Sequence, residues 1–307
     1  MRSDAMLLSN GLTRTEYLKT LQGMFIQPPI KYPKQAGEEW LDIPYANTSN
    51  KQKMNIYVPE GEGRFPTLIW IHGGGWFMGD RSDFALSYAF PFLKHGYAVV
   101  SVGYRLADEA IFPDPVKDVM LAVSYLKKHA SEYLLDEERF AVISGSAGTN
   151  IAALAALKAD IADTEQDYSV KVVILKCSIL DFASIRKQFE EIGISRKRFS
   201  YPDEDTSIEA LYLGGTIQEC EEKCNASNPA RYLKSDSPPF LLMHGLDDVD
   251  TPYLQSVEFA NEIKATAGAD KVKLILFQDT GHDNGMYDLD STFELQLDFL
   301  RKHLNKY

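Results

Sequence analysis

A chain of 307 residues, 45% of them hydrophobic, can bury one large α/β core without needing a second domain. Its formal net charge of −12 excludes the basic face that phosphate backbones require, so no nucleic-acid partner is expected. No run of about eighteen apolar residues is present to cross a bilayer, and Asp4, Asn10, Arg14 and Glu16 interrupt any apolar leader, so a cytoplasmic protein without a membrane partner is expected.

Residues 1–40 precede the first predicted strand, and the capping box Thr13-x-x-Glu16 predicts a helix after Thr13. Apolar runs rich in Val, Ile, Tyr and Trp predict strands at 54–58, 67–71, 97–102, 140–143, 170–177, 240–243 and 272–277. Helical patterns fall between and after them at 84–94, 115–129, 150–159, 252–267 and 292–304. Thr251-Pro252 reads as an N-cap followed by a proline. Ser291-x-x-Glu294 reads as a capping box ahead of Phe293, Leu297, Leu300 and Leu304 on one face. Alternation of this kind predicts a doubly wound, mostly parallel sheet, with ligands beyond the carboxyl ends of its strands. Residues 183–236 are too long for an ordinary connection and predict a helical cap over that edge, helped by the N-terminal arm, within a single domain.

Three loops after predicted strands carry chemistry. Ser144-Gly145-Ser146-Ala147-Gly148 joins strand 140–143 to a helix, and small residues flank Ser146 as a sharp nucleophile turn demands. Serine stands at the first position, where glycine is usual; Ser144 itself lies at the strand end rather than the apex. His72-Gly73-Gly74-Gly75-Trp76 follows strand 67–71, and its glycines let backbone N–H groups approach an oxyanion. The donors expected there are the N–H groups of Gly74, Gly75 and Ala147, with Trp76 and Phe77 beside the acyl pocket. A phosphate loop would need a Lys-Ser/Thr or a G-x-G-x-x-G spacing, and neither is present.

Six histidines compete for the role of base. His95, His129 and His303 fall on helix ends or faces, His244 ends a strand, and His72 precedes the serine and reads as a loop brace. His282 follows a glycine in a loop after the last predicted strand and comes after every candidate acid. The acid that holds its tautomer is one of Asp247, Asp248 and Asp250, all after strand 240–243. Cys220 and Cys224 share a helical spacing, but no second His or Cys pair completes a zinc site, so neither metal nor cofactor is expected.

With these segments the chain resembles the α/β-hydrolase superfamily, in particular its esterases with an HGGG loop. The similarity runs over residues 54–304 outside 183–236. Gly103-Tyr104-Arg105-Leu106-Ala107 followed by Phe112-Pro113 is similar to the Y-R-L-A-P-E…F-P segment of that family, with Asp108 in place of proline. The resemblance implies a sheet-bracing role for it, with Arg105 and Asp118 as a pair. His244-Gly245-x-x-Asp248-x-x-x-Pro252 is similar to the acid loop and favours Asp248 over its neighbours. The pattern is most similar to acetyl esterases and to acetyl-xylan or feruloyl-type esterases. It implies a serine carboxylic-ester hydrolase acting on small acyl esters, those of sugars among them. His72-Gly73-Gly74-Gly75-Trp76 also fits the H-G-G-x-W motif of kynurenine formamidases, so an amidase or peptidase on the same triad is the alternative. A ligand-binding homologue without activity would be marked by a lost triad member, and all three are present. Asp283 departs from the residues usual after the histidine, which leaves the subfamily open.

In the insert, Arg186, Lys187, Arg196, Lys197 and Arg198 read as a solvated basic face, or as a site for anionic esters if they point inward. Phe189, Phe199, Tyr201 and Tyr212 line an acyl or sugar site or pack within the cap.

Overall fold

A computed structural model describes residues 6–24, 36–158, 160–161, 166–282 and 289–304. Eight strands form one sheet: β1 (Glu38–Pro44), β2 (Lys53–Val58), β3 (Phe65–Ile71), β4 (Ala98–Val102), β5 (Leu135–Gly145), β6 (Val172–Lys176), β7 (Phe240–Gly245) and β8 (Val272–Phe277). Their order is β1-β2-β4-β3-β5-β6-β7-β8. The β1–β2 and β2–β4 pairs are antiparallel, and every later pair is parallel. The expected doubly wound, mostly parallel sheet is therefore present, with β3 beside the serine-bearing β5.

The reason lies in the strands themselves. Every residue of β4 and β6 is buried, as strands covered on both faces must be. Alternate side chains then serve two cores. Ile69, Ile71, Phe140 and Val142 face one, under α2 (Asp114–Lys128), α3 (Gly148–Ala156) and α7 (Leu254–Thr266). Leu68, Trp70, Ala141 and Ile143 face the other, with Leu297, Leu300 and Leu304 of α8 (Asp290–Leu304). Each such aliphatic side chain contributes about 1.5–3 kcal/mol relative to full exposure.

Several expectations need correction. The first strand is β1, not 54–58; its Glu38-Glu39-Trp40-Leu41-Asp42 run is mostly exposed at the sheet edge and carries no apolar signal. Its register breaks between Trp40 and Ile43, where Asp42 takes a left-handed φ of 59°. The helix expected at 84–94 is two 3-10 turns, Phe84–Tyr88 and Phe90–His95, because Pro91 has no N–H to continue a helix across Ala89. Asp83 accepts the N–H of Ala85 at the start of the first.

Helix α7 begins at Leu254, so Thr251 does not cap it. Helix α8 begins at Asp290, which puts Ser291 inside the first turn rather than at the cap. Helix α3 runs from Gly148, and Ala159 lies outside the described residues. The Thr13 box is present: Glu16 Oε2 accepts the Thr13 N–H at 2.9 Å and Thr13 Oγ1 accepts the Glu16 N–H at 3.3 Å, opening α1 (Arg14–Met24).

Residues 183–236 add no strand. They hold α4 (Ile185–Ile192), α5 (Ile208–Leu213) and α6 (Glu221–Ala226), with Gly193 and Gly214 in left-handed conformations at the ends of α4 and α5. Cys220 ends up at the start of α6, and Cys224 one turn on is buried, which pushes its thiol up to about 11. The N-terminal arm touches this region: Ser9 binds the Asp205 carboxylate, and Arg14 donates to Leu211 O at 2.9 Å and to Ala107 O. No described helix is long and apolar enough to cross a membrane.

Candidate active site

Ser146 sits between the end of β5 and the start of α3 with a φ of 54°, a left-handed conformation that a serine adopts only when its surroundings hold it. Its N–H donates to Lys176 O at 3.0 Å, and Thr149 N–H returns to Ser146 O at 2.9 Å. The tight turn explains the small neighbours. A Cβ on Gly148 would run into His72 O and Ser144 Oγ. Ser144 is buried and donates to Ile71 O at 2.8 Å, so the hydroxyl at the unusual first position ties β5 to β3. It is turned away from the reacting edge.

The glycine loop lies alongside. A Cβ on Gly73 would come within 2.8 Å of Gly145 O, so only glycine lets this loop reach the serine turn. Gly74 and Gly75 have φ of 95° and 58°, and Trp76 follows at 61°. The carbonyl of Gly74 accepts the N–H groups of Phe77 and Met78 at 3.2 and 3.0 Å, which turns the loop back on itself. Among the described residues, the N–H groups of Gly74, Gly75 and Ala147 have no protein acceptor. The sequence names these three N–H groups as candidate oxyanion donors. Tyr104 braces the loop from below, its hydroxyl donating to His72 O at 2.9 Å and its ring stacked 4.2 Å from the His72 ring. Burial lowers the pKa of His72, and its Nδ1 is taken up by Gly73 O, so His72 serves the loop and not the chemistry.

The candidate base meets the serine, and the candidate acid meets the base. His282 Nε2 is 2.9 Å from Ser146 Oγ, and its Nδ1 is 2.7 Å from Asp248 Oδ2. Asp247 is exposed, and Asp250 is buried but held by Arg198, whose Nε donates to Asp250 Oδ2 at 2.6 Å. Of the three candidates only Asp248 reaches the imidazole. Burial by itself would raise the Asp248 pKa. The His282 charge and hydrogen bonds from His244 and His282 outweigh that and hold the carboxyl well below its ordinary range. Its Oδ1 also accepts the N–H groups of Asp250 and Thr251, both at 2.9 Å, and its Oδ2 accepts the Thr251 hydroxyl at 3.0 Å.

One of these contributors differs from the sequence reading and one adds to it. Thr251 looks like a helix cap, yet its N–H and hydroxyl both serve Asp248. His244 ends β7 as expected, and its Nε2 lies 3.2 Å from Asp248 Oδ2, a contact the sequence reading does not assign. The i, i+4 spacing of His244 and Asp248 was the available signal. Asp283, next to the base, lies outside the described residues.

Trp76 and Phe77 are wholly buried. Trp76 stacks on Tyr212 with centroids 4.5 Å apart and meets Phe182 edge-on, while Phe77 packs against Phe199 at 6.4 Å. Two of the insert's aromatics thus cover the residues next to the glycine loop; Phe189 and Tyr201 pack on each other. The basic cluster divides. Arg196 is buried against an equally buried Glu209 at 2.7 Å, and Arg186 binds Asp203 and Glu204 and lies over the Tyr201 ring. Lys187, Lys197 and Arg198 are exposed, as the solvated reading expects. The expected Arg105–Asp118 pair is present, with Gln52 completing the carboxylate's partners.

Among the described residues, one group of carboxylates and imidazoles could share a cation: Asp248, Asp250 and His282, whose ligand atoms lie within 4.8 Å of one another. Those atoms are already engaged with Ser146, Thr251 and Arg198. The arrangement that remains is a hydroxyl, an imidazole and a carboxylate in line, beside a loop of free backbone donors. Such a set can deprotonate a serine and stabilise a developing oxyanion.

Comparison with known proteins agrees. The chain is 26% identical over 236 residues to LipM of Mycobacterium tuberculosis, described as a probable carboxylic ester hydrolase, covering 73% of this chain and 51% of that one. It is 24% identical over 280 residues to the esterase LipQ of the same organism, covering 88% and 62%. The chain thus spans between half and two thirds of the length of these curated relatives. Among solved structures, a truncated carbohydrate esterase from gut microbiota superposes with a TM-score of 0.79 at 24% identity, over 91% of this chain and 99% of that one. That likeness shows the α/β-hydrolase fold. The BD-FAE family model matches residues 54–263, most of the sheet and both the serine and acid loops, and the chain belongs to that family.

Proposed function

We propose that the protein is a serine carboxylic-ester hydrolase for small acyl esters, acetyl or similar, including acetylated sugars. The observation that carries this is the unbroken line from Ser146 Oγ through His282 to Asp248, at 2.9 and 2.7 Å, beside the unpartnered N–H groups of the glycine loop. Ser146 attacks the ester carbonyl as His282 Nε2 takes its proton, and Asp248 stabilises the imidazolium. The carbonyl oxygen, now negative, accepts hydrogen bonds from Gly74, Gly75 and Ala147, each worth about 3 kcal/mol of transition-state stabilisation. Collapse expels the alcohol, which takes the proton from His282, and water activated by the same imidazole frees the acid.

The ester preference is supported by the names of the relatives, an ester hydrolase and a carbohydrate esterase. The 183–236 insert and the N-terminal arm form a cap in this reading, because Tyr212 and Phe199 sit on Trp76 and Phe77 and Arg14 reaches α5. Trp76 and Phe77 then wall the acyl side. Cytoplasmic residence belongs to the same proposal.

The test is a panel of p-nitrophenyl esters of rising acyl length, acetylated and feruloylated sugars, and N-formylkynurenine, run on wild type and Ser146→Ala. Short acyl esters should be turned over best, and Ser146→Ala should lose the activity. A thousandfold preference for the formamide would replace the esterase reading with an amidase.

A further inference from the structure

Asp248 Oδ2 carries more than the base. His244, wholly buried at the end of β7, brings its Nε2 to 3.2 Å from the same oxygen that binds His282 Nδ1. That Nε2 also faces Thr251 O at 3.2 Å. A carbonyl and an ionised carboxylate can only accept, so the proton of His244 resides on Nε2. Nδ1 is then an acceptor, and Ser256 Oγ, 2.8 Å away in the first turn of α7, donates to it. The chain of donors is Ser256 hydroxyl to His244, His244 to Asp248, with each hydrogen accounted for.

The two imidazoles differ in their footing. His282 stands in the loop after β8, while His244 lies within the sheet and pairs in register with Leu276. The Oδ1 side of the carboxylate is pinned by two backbone N–H groups. Without His244, Oδ2 would be held by the Thr251 hydroxyl and by the very base it has to orient. We propose that His244 is a positioning residue: it fixes the second oxygen of Asp248 from the sheet, and Ser256 sets the tautomer that lets it do so. Its kinetic consequence rests on the hydrolase reading above; its hydrogen-bond arrangement does not.

The sign of the effect follows from charge. A donor on Oδ2 draws electron density from the carboxylate, so removing it leaves more for the His282 imidazolium and raises that imidazole's pKa. The titratable and charged groups described around the carboxylate are His244 on β7, His282 after β8 and Asp250 in the acid loop. From the insert come Arg198 on the Asp250 carboxylate and Arg196 on its carbonyl. Apart from His244 itself, none of these is replaced by a change at position 244 or 256.

Two measurements test the proposal on the full chain. Long-range NMR of 15N-histidine protein, with His244 assigned by its loss in His244→Gln, should show the neutral ring as the Nε2–H tautomer with Nδ1 bare. An Nδ1–H tautomer would overturn the inference alone. In p-nitrophenyl acetate kinetics, His244→Leu should lower kcat about tenfold at little cost in KM and move the acid limb to higher pH. His244→Gln, which keeps an N–H for Oδ2, should recover most of both. Ser256→Ala, the gentler change, should lower kcat about threefold with the limb moving the same way. An unmoved limb and unchanged kcat in Ser256→Ala and in folded His244→Leu would overturn the positioning role, whatever the variants' melting temperatures. Turnover retained by Ser146→Ala would instead overturn the hydrolase reading, leaving the NMR result standing.

Discussion

The strand-end loops and the 183–236 insert meet around Trp76 and Asp250, yet they are held by different chemistry. The loops are fixed by short backbone and side-chain hydrogen bonds to strand residues and to one another: Ser146 to Lys176, Ser144 to Ile71, Tyr104 to His72, Thr251 to Asp248. The insert shares a few such bonds, Lys197 N–H to Val249 O and Asn150 to Ser227 O among them, and adds aromatic stacking and guanidinium groups, Arg196 on Glu209 and Asp250 O, Arg198 on the Asp250 carboxylate. The first kind of attachment leaves reacting atoms little freedom, which positioning within tenths of an ångström requires. The second joins a separable element to a finished sheet. On this view the sheet ends determine the reaction, and the insert determines which ester reaches it.

That division can be broken at either end. The largest effect is expected at Asp248→Asn, which keeps the shape but favours the wrong His282 tautomer: kcat should fall roughly 10^3–10^4-fold with the melting temperature nearly kept. Steady-state kinetics with p-nitrophenyl acetate checks this. Because the Asp248 carboxyl titrates well below its ordinary range, the wild-type rate should fall on the acid side as the imidazole of His282 takes up a proton, not as Asp248 does. An acid limb in the carboxylate range would contradict it.

On the insert side, Arg196→Ala strands the buried Glu209 carboxylate and should cost about 3–5 kcal/mol in urea unfolding. Arg196→Met with Glu209→Leu should restore most of it, since an apolar pair removes the stranded charge. Acetyl-ester kcat in that double variant should stay near wild type, while the preference across sugar esters shifts. Loss of kcat with stability intact would mean that the insert takes part in the chemistry. The smallest effect is expected at Arg198→Ala, a partly exposed pair worth under about 1 kcal/mol. Its guanidinium is committed to Asp250, so KM for an anionic ester such as an acetylated uronate should hardly move; a large rise would show that Arg198 binds substrate.

The same contrast governs what could be read before any coordinates. Strands β2 to β8 show in the sequence as apolar runs; the parallel strands inside the sheet are covered on both faces, and β8 keeps its run although it is a half-buried edge strand. Ser146 and His282 stand in the loops after such runs. β1 does not show, because an edge strand with Glu38, Glu39 and Asp42 facing solvent has no such run. Asp248 was distinguishable from Asp247 and Asp250 only through its resemblance to a known acid loop; distance to His282 decides it without that help. Thr251 before a proline has the local form of a helix cap, and nothing local says that its hydroxyl turns to a carboxylate three residues back. The arginines of the insert read as a solvated face because their partners, Glu209, Asp203 and Asp250, are brought up by tertiary folding.

The most direct measurement is covalent capture of the nucleophile. Intact-mass and peptide analysis after treatment with a fluorophosphonate should find one adduct, on Ser146, formed in step with loss of esterase activity. Ser146→Ala should take up none and turn over no ester. An adduct on Ser144 or elsewhere, or full activity in Ser146→Ala, would contradict the assignment of Ser146, His282 and Asp248.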